Sequence, residues 1–440
     1  MKDGIVLEDI MQDFHMPENI AIGMMVSKQH KICKSIGCDF DYHGFAFGQS
    51  PFQVPEALQQ ALARHAEKGG YVDAEGIMEL REAVAGFHRR YFKLDLGSER
   101  IFIGPGTKTL IHMIFTLVKA RVILPSPSWV GYYPLLKLLG KEYAIFHLAR
   151  DHGYKIVPRE LDSFLAGIAG TKMLVLNNPH NPTGSVYSQT ELEEIARVCR
   201  KHDTLILADE IYALTTYDFD QFTSMGAVYP EGTFITNGLS KDRSAGGYRL
   251  GVCVLPQQHD QALARAFKML AATFYTSVVT PVQLAAVSAY KENTEIDEYF
   301  KITRSIHRIM GTTISRKCAA IEGLYATVPR GGFYFLLDFH ELSPRLLAQG
   351  IYEANRLSPA LISHPFDVAT ISGDSLLLPP DRFAVRIAFV DYDGEKAYRD
   401  YASHPPQNEK EEEEFVLRHA GNMISGVQAI QDFVEDLPQV

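Results

Sequence analysis

Between about residue 100 and residue 255, short runs that are apolar throughout alternate with amphipathic ones, and few folds accept that pattern. Arg121-Val122-Ile123-Leu124, Lys172-Met173-Leu174-Val175-Leu176, Thr204-Leu205-Ile206-Leu207-Ala208, Thr233-Phe234-Ile235-Thr236 and Gly251-Val252-Cys253-Val254-Leu255 read as strands. None alternates apolar with polar residues, so both faces of the sheet are expected to be covered, as in a mostly parallel sheet. Between two of these runs a helix opens at a capping box, Ser188-Gln189-Thr190-Glu191, and carries Leu192, Ile195, Ala196 and Cys199 at helical spacing. The pattern predicts a three-layer α/β/α domain.

A chain of 440 residues exceeds one ordinary core and suits two closely packed domains. Residues 1–54 read as irregular, rich in Met, Gly and aromatics. Beyond residue 300 come a long helical pattern and two strands, Gly331-Gly332-Phe333-Tyr334-Phe335-Leu336-Leu337 and Phe383-Ala384-Val385-Arg386-Ile387-Ala388-Phe389. We expect 55–299 to form the large domain, and 1–54 with 300–440 to build a smaller α+β domain from both chain ends.

Composition narrows the function classes. With 43 basic against 53 acidic residues the net charge is −10, which argues against a general nucleic-acid binder. Some of the acid sits in one run, Glu409-Lys410-Glu411-Glu412-Glu413-Glu414, read as a solvated loop or a helix start. Cys33, Cys38, Cys199, Cys253 and Cys318 are scattered, which fits neither a disulfide framework nor a zinc site, so no metal is expected. Met1-Lys2-Asp3-Gly4 lacks the basic start and apolar run of a signal peptide, and no stretch is long and apolar enough to span a bilayer. A cytoplasmic location without membrane partners is the expectation.

The chemistry-bearing residues fall at strand ends. Asn181, in Asn178-Pro179-His180-Asn181-Pro182-Thr183-Gly184, Asp209, in Asp209-Glu210-Ile211-Tyr212, and Lys241, in Ser240-Lys241, each follow a predicted strand. Ligands of open parallel sheets gather at the carboxyl ends of strands, so the three are expected to converge. A lysine can form an imine with an aldehyde. An aspartate can keep a ring nitrogen protonated, so that the ring accepts electrons from a carbanion. Tyr212 and Asn181 could both reach a ring hydroxyl. Arg249, in Gly247-Tyr248-Arg249-Leu250-Gly251, offers a planar fork of donors to a phosphate. The small residues Ser244, Ala245, Gly246 and Gly247 before it favour a tight loop over a helix. Together they describe a seat for pyridoxal 5'-phosphate.

From residue 40 to 395 the chain resembles the class I/II aminotransferases of the aspartate aminotransferase superfamily, fold type I. That resemblance implies more. Gly106-Thr107-Lys108 matches the phosphate cup at a helix N-terminus. Trp129 stands where the family stacks an aromatic on the pyridine ring, and Tyr71 matches a tyrosine that reaches the neighbouring subunit's phosphate, which implies a homodimer. Arg386 matches the clamp for the substrate α-carboxylate, aided by Asn181 and the backbone of Gly48. The freed Lys241 amine would act as general base in amino transfer between an L-amino acid and a 2-oxo acid, within amino acid metabolism or biosynthesis.

The pattern is departed from in two places. Many relatives carry Ser or Thr three residues before the lysine, where this chain has Gly238, and the sequence leaves open whether Ser240 substitutes as a cofactor contact. No arginine is assignable to a substrate side-chain carboxylate. Gly104-Pro105-Gly106-Thr107-Lys108-Thr109 superficially resembles a nucleotide loop, but the Walker spacing is not met. Two other function classes are compatible with the scaffold. A lyase, such as a 1-aminocyclopropane-1-carboxylate synthase or a C–S lyase, would use the same residues. A non-catalytic sensor ranks last, because Lys241 and Arg386 are both present.

Overall fold

The computed structural model describes residues 11, 16–36, 42–258 and 261–440; Met1–Gly4 and Cys38 lie outside these residues. Seven strands form the principal sheet: β1 (Ile101–Gly104), β2 (Arg121–Ser126), β3 (Tyr143–His147), β4 (Lys172–Asn177), β5 (Thr204–Asp209), β6 (Thr233–Gly238) and β7 (Gly251–Val254). Their order is β1-β7-β6-β5-β4-β2-β3. β2 through β6 pair parallel, whereas β7 runs antiparallel to both of its neighbours. The sheet is therefore mostly parallel, as the apolar runs required.

Successive residues of these strands feed two separate cores. Ile123, Leu174, Leu176, Ile206 and Ala208 lie in one, while Val122, Leu124, Met173, Val175, Leu207 and Phe234 lie in the other. Both faces are thus covered by helices, which is the three-layer arrangement. The chain passes from β2 outward to β3 and returns inward at β4, so the strand order reverses between β2 and β4. The carboxyl ends flanking such a switch point form a natural crevice.

Six helices position the site or brace the chain ends: α1 (Glu18–Ile36), α2 (Thr107–Leu117), α3 (Gln189–Lys201), α4 (Thr294–Ala319), α5 (Glu409–His419) and α6 (Gly421–Asp436). The capping box of α3 forms as expected, with the Ser188 side chain taking the Glu191 amide and the Glu191 side chain taking the Ser188 amide. The segment 1–54, expected to be irregular, instead contains α1. That helix is anchored by Glu18, whose carboxylate accepts from the Ser372 amide at 2.9 Å and the Ser372 hydroxyl at 2.8 Å.

A second, antiparallel sheet gathers β8 (Tyr325–Ala326), β9 (Tyr334–Asp338), β10 (Ile371–Ser372) and β11 (Ala384–Ala388) in the order β10-β11-β9-β8. His43–Gly44 pairs parallel with Val368–Ala369, so both ends of the chain meet beside this sheet. α4 runs unbroken through residue 300. The acidic run is a helix start: Asn408 caps α5, Glu412 pairs with Arg308 at 2.5 Å, and Arg316 pairs with Glu409 and Glu413. Cys199, Cys253 and Cys318 are buried free thiols. Among the described residues no helix is long and apolar enough to cross a membrane, and no group of His, Cys, Asp and Glu could hold a metal ion.

Candidate active site

The register of the central strands brings the predicted residues together. Asn177 pairs with Asp209 across β4 and β5, and Asp209 pairs with Thr236 across β5 and β6. Asn177 then ties the loops: its amide donates to the Asp209 carbonyl at 2.8 Å, and its oxygen accepts from the Asn181 amide at 2.7 Å. Asn181, Asp209 and Lys241 thus emerge at one end of adjacent strands.

Asp209 is buried and its carboxylate accepts from Tyr132 at 2.5 Å and Thr236 at 3.2 Å. Burial pushes its pKa up to about 6, against the pull of Tyr132, Thr236, the Ile211 backbone and the Lys241 charge. A buried carboxyl so poised favours a cationic partner. Its neighbour Glu210 turns away, accepting from Ser224 at 3.0 Å and the Met225 amide at 2.8 Å, and burial lifts it to about 7.

Lys241 donates to the carbonyl of Gly48 at 2.6 Å, with its ammonium 5.6 Å from the Tyr212 ring and 5.8 Å from the Phe333 ring. Gly48 therefore contacts the lysine directly. The loop between Lys241 and Arg249 is tight, as its small residues required: Ser244 and Arg249 take positive φ of 53° and 52°.

Arg249 reaches back to α2. Its Nη1 donates to the Gly246 carbonyl at 2.8 Å, and its Nη2 lies 2.4 Å from where a Cβ on Gly106 would stand. Gly106 has φ of +88° and caps α2, a conformation that favours glycine, and a Cβ there would also push the Arg249 guanidinium aside. The Lys108 ammonium lies 5.3 Å from the Trp129 ring, and burial and then the Arg249 charge hold its pKa below the usual lysine value. Two mutually repelling cations at a helix N-terminus make a seat that an anion relieves. Trp129 in turn packs against Tyr132, edge to face at 5.0 Å. Ser240 is half-buried beside Gly246 in the same loop.

Arg386, on β11, is buried at 3% exposure. Its Nη1 donates to Asn181 at 3.2 Å and its Nη2 to the Ala46 carbonyl at 2.7 Å, while Nε has no partner among the described residues. A buried guanidinium with donors to spare is suited to a carboxylate. Tyr71 lies apart from this cluster, 87% exposed in the single chain.

Two hydroxyls in the site belong to no motif. Along the chain Tyr132 is only a near neighbour of Trp129, and Tyr334 only a strand residue, yet Tyr334 meets the Tyr212 hydroxyl at 3.0 Å. The one local signal for Tyr132 is its place three residues beyond Trp129; for Tyr334 no local pattern exists.

Gly238 receives a structural explanation. A Cβ there would stand 2.6 Å from the Leu250 carbonyl oxygen and 3.0 Å from the Gly251 Cα, backbone atoms at the start of the paired strand. A serine at this position would force the backbone beside it to shift.

This sheet order, with a lysine, an aspartate and an arginine at its carboxyl edge and a second arginine reaching in from the smaller sheet, defines the fold type I class of α/β transferases. The chain belongs to the aminotransferase class I and II family, whose model matches residues 41–394. An asparagine–oxo-acid transaminase from Streptococcus mutans is 28% identical over 379 residues, covering 84% of this chain and 92% of the relative. An aspartate aminotransferase from Bacillus sp. strain YM-2 is 28% identical over 358 residues, covering 80% and 87%. The solved aspartate aminotransferase of Thermus thermophilus with maleate superposes with a TM-score of 0.79 at 24% identity, over 98% of this chain and all of that one.

Proposed function

We propose that this aminotransferase holds pyridoxal 5'-phosphate between Lys241, Asp209 and the Gly106–Arg249 cup, and moves an amino group between an L-amino acid and a 2-oxo acid. The observation that carries the reading is the buried Arg386, whose Nε has no partner among the described residues, one side chain away from the Lys241 amine. Its guanidinium lies over the Tyr334 ring, whose hydroxyl is 3.4 Å from the Gly48 carbonyl that takes Lys241. When bound, the cofactor supplies an aldehyde for an amine and a ring that takes up the electrons of a broken Cα–H bond.

Every other task falls to the chain. The α2 amides at Thr107 and Lys108, with the Arg249 guanidinium, would hold a phosphate dianion, and Ser240 lies near enough in the loop to add a hydroxyl. Trp129 would cover one face of the ring. The Asp209 carboxylate would keep a proton on the ring nitrogen. Tyr212 and Asn181 would donate to the ring oxygen. Arg386, steadied by Asn181 and the Ala46 carbonyl, would orient the substrate carboxylate so that its α-hydrogen faces Lys241. The Lys241 amine would then take the proton and return it, and the Gly48 carbonyl would hold that amine between turns.

Residues 1–54 and 300–440 would form the part that closes on substrate over 55–299. Tyr71 would complete the phosphate site of a second copy, making a homodimer, and the cytoplasm is the proposed location. The relatives are named transaminases and aminotransferases, which weighs for transfer and against elimination on the same scaffold. The test is direct: purified protein should be yellow, and borohydride should bleach it while fixing the cofactor covalently to Lys241. A Lys241→Ala variant that still traps cofactor through borohydride refutes the assignment. Asparagine, aspartate and other amino donors, each with 2-oxoglutarate, then separate transfer (glutamate appears) from elimination (ammonia or a thiol appears).

A further inference from the structure

Tyr334 opens β9 and shares a face of its sheet with Arg386: Tyr334 pairs with Ala388, and Leu336 with Arg386. The Arg386 guanidinium lies over the Tyr334 ring, 4.3 Å from its centre. The Tyr334 hydroxyl accepts from Tyr212 at 3.0 Å and stands 3.4 Å from the Gly48 carbonyl, the oxygen that takes the Lys241 ammonium. The residue is 3% exposed. A Cβ on Gly48 would fall 1.6 Å from that hydroxyl, so Gly48 is bare where Tyr334 needs the room. One side chain therefore touches the residue proposed to grip the substrate, the residue proposed to reach the ring oxygen, and the carbonyl that holds the lysine.

A tyrosine that merely fills a core would not meet this set. The charged and titratable groups facing it are Lys241 from the loop after β6, Arg386 from β11 and Tyr212 from the loop after β5, with Asp209 behind Tyr212. Burial raises the Tyr334 pKa, but the charges of Lys241 and Arg386 outweigh it and hold the hydroxyl below the ordinary tyrosine value. Tyr212, by contrast, is raised well above that value by burial and by Tyr334 itself.

We propose that Tyr334 is a positioning residue for amino transfer, which sets the donor direction of Tyr212 through its hydroxyl and supports Arg386 through its ring. This rests on the reading of Lys241 and Arg386 given above. A hydroxyl has one proton to give. As the hydrogen bonds stand, Tyr212 gives its proton to Tyr334. When Tyr212 donates instead to a ring oxygen, its own oxygen is free to take the Tyr334 proton. The chain then runs from Tyr334 through Tyr212 to the acceptor, and a donor that is itself hydrogen-bonded donates more strongly. The Gly48 carbonyl is left to Lys241 alone.

Two variants of the cofactor-loaded enzyme separate the hydroxyl from the ring. Tyr334→Phe keeps the platform under Arg386 and removes the hydroxyl. The pH at which the bound cofactor changes colour should rise by about one unit, because the ring oxygen loses donor strength. Turnover, kcat, should fall roughly tenfold, with KM for the amino donor within about twofold of the parent. Tyr334→Leu removes the ring as well, and KM should rise by a further factor on the order of ten. Before cofactor is added, ultraviolet titration should show a tyrosine ionising below the ordinary value in the parent and not in Tyr334→Phe. A Tyr334→Phe enzyme with an unmoved colour transition and parental kcat overturns the proposal. So does one whose only change is a lower melting temperature. If Tyr334→Leu fails to fold, Tyr334→Phe still decides the matter. The borohydride test on Lys241→Ala stands apart: should it fail, the site reading falls, whereas a silent Tyr334→Phe beside a successful Lys241 test sinks this inference alone.

Discussion

The Tyr132 hydroxyl donates to the Asp209 carboxylate over 2.5 Å, with both side chains buried. That bond pulls the Asp209 pKa down, yet burial still leaves it at about 6 against an ordinary 3.8. The folded chain thus holds this proton more tightly than the unfolded chain does. Stability contributed at low pH is lost as pH rises between those two values, and it stays lost above them. A shift of this size corresponds to roughly 3 kcal/mol, given up to keep an anion where a ring nitrogen would need one.

Asp209→Asn should expose that loss. The amide oxygen still accepts from Tyr132, and no buried charge remains. In thermal melts without added cofactor, the variant should gain stability at pH 8, and the gain should shrink toward zero below about pH 4. Its ability to bind cofactor and turn over should collapse. An equal or lower melting temperature at pH 8 would contradict the account.

Gly238→Ser should not restore a phosphate contact, although relatives use a hydroxyl there. The new Cβ would meet the Leu250 carbonyl oxygen at 2.6 Å, a backbone clash that only a shift of the paired chain relieves. We expect a loss of about 2 kcal/mol or more in urea unfolding and no tighter binding of pyridoxal phosphate by dialysis. A stable variant with improved affinity would refute the steric argument.

Arg243 follows the lysine by two residues and is 1% exposed. It pairs with Asp242 at 2.9 Å, donates to the Ala289 carbonyl at 3.2 Å, and lies within 4.5–5.0 Å of the Phe87, Tyr290 and Phe300 rings. Removing one partner of a buried pair leaves the other uncompensated, at a cost of about 3–5 kcal/mol. Arg243→Met should show that loss in urea unfolding, and adding Asp242→Asn should recover a large part of it. A double variant no more stable than Arg243→Met would show that ring contacts, not charge, dominate.

The central strands and the capping box were legible because each is written locally, as an apolar run or a four-residue signature. Lys241, Asp209 and Asn181 were legible because strand ends can be counted along the chain. Tyr132 and Tyr334 were not, since they reach Asp209 and Tyr212 across sequence separations of 77 and 122. The missed edge strand β3 is only partly buried and so lacks a continuous apolar run. α1 was missed for a related reason. Ile20, Met24 and Ile32 are about half exposed, so its apolar residues do not mark a single buried stripe. Its anchor, Glu18, bonds Ser372, which lies 354 residues away in sequence.

Arg386 offers the sharpest separation of cofactor from substrate. Its guanidinium is fixed by Asn181 at 3.2 Å and the Ala46 carbonyl at 2.7 Å, and its ring platform is Tyr334. None of these contacts involves Gly106, Arg249 or Asp209. Arg386→Lys keeps the charge but cannot reproduce two parallel donors in a plane. The amino donor should then bind on the order of a hundredfold more weakly, seen as a raised KM, while the yellow colour of the purified protein is retained. Arg386→Leu should weaken binding further and still hold cofactor. Loss of cofactor from either variant, measured by absorbance after gel filtration, would place Arg386 in the cofactor seat and remove it from substrate recognition.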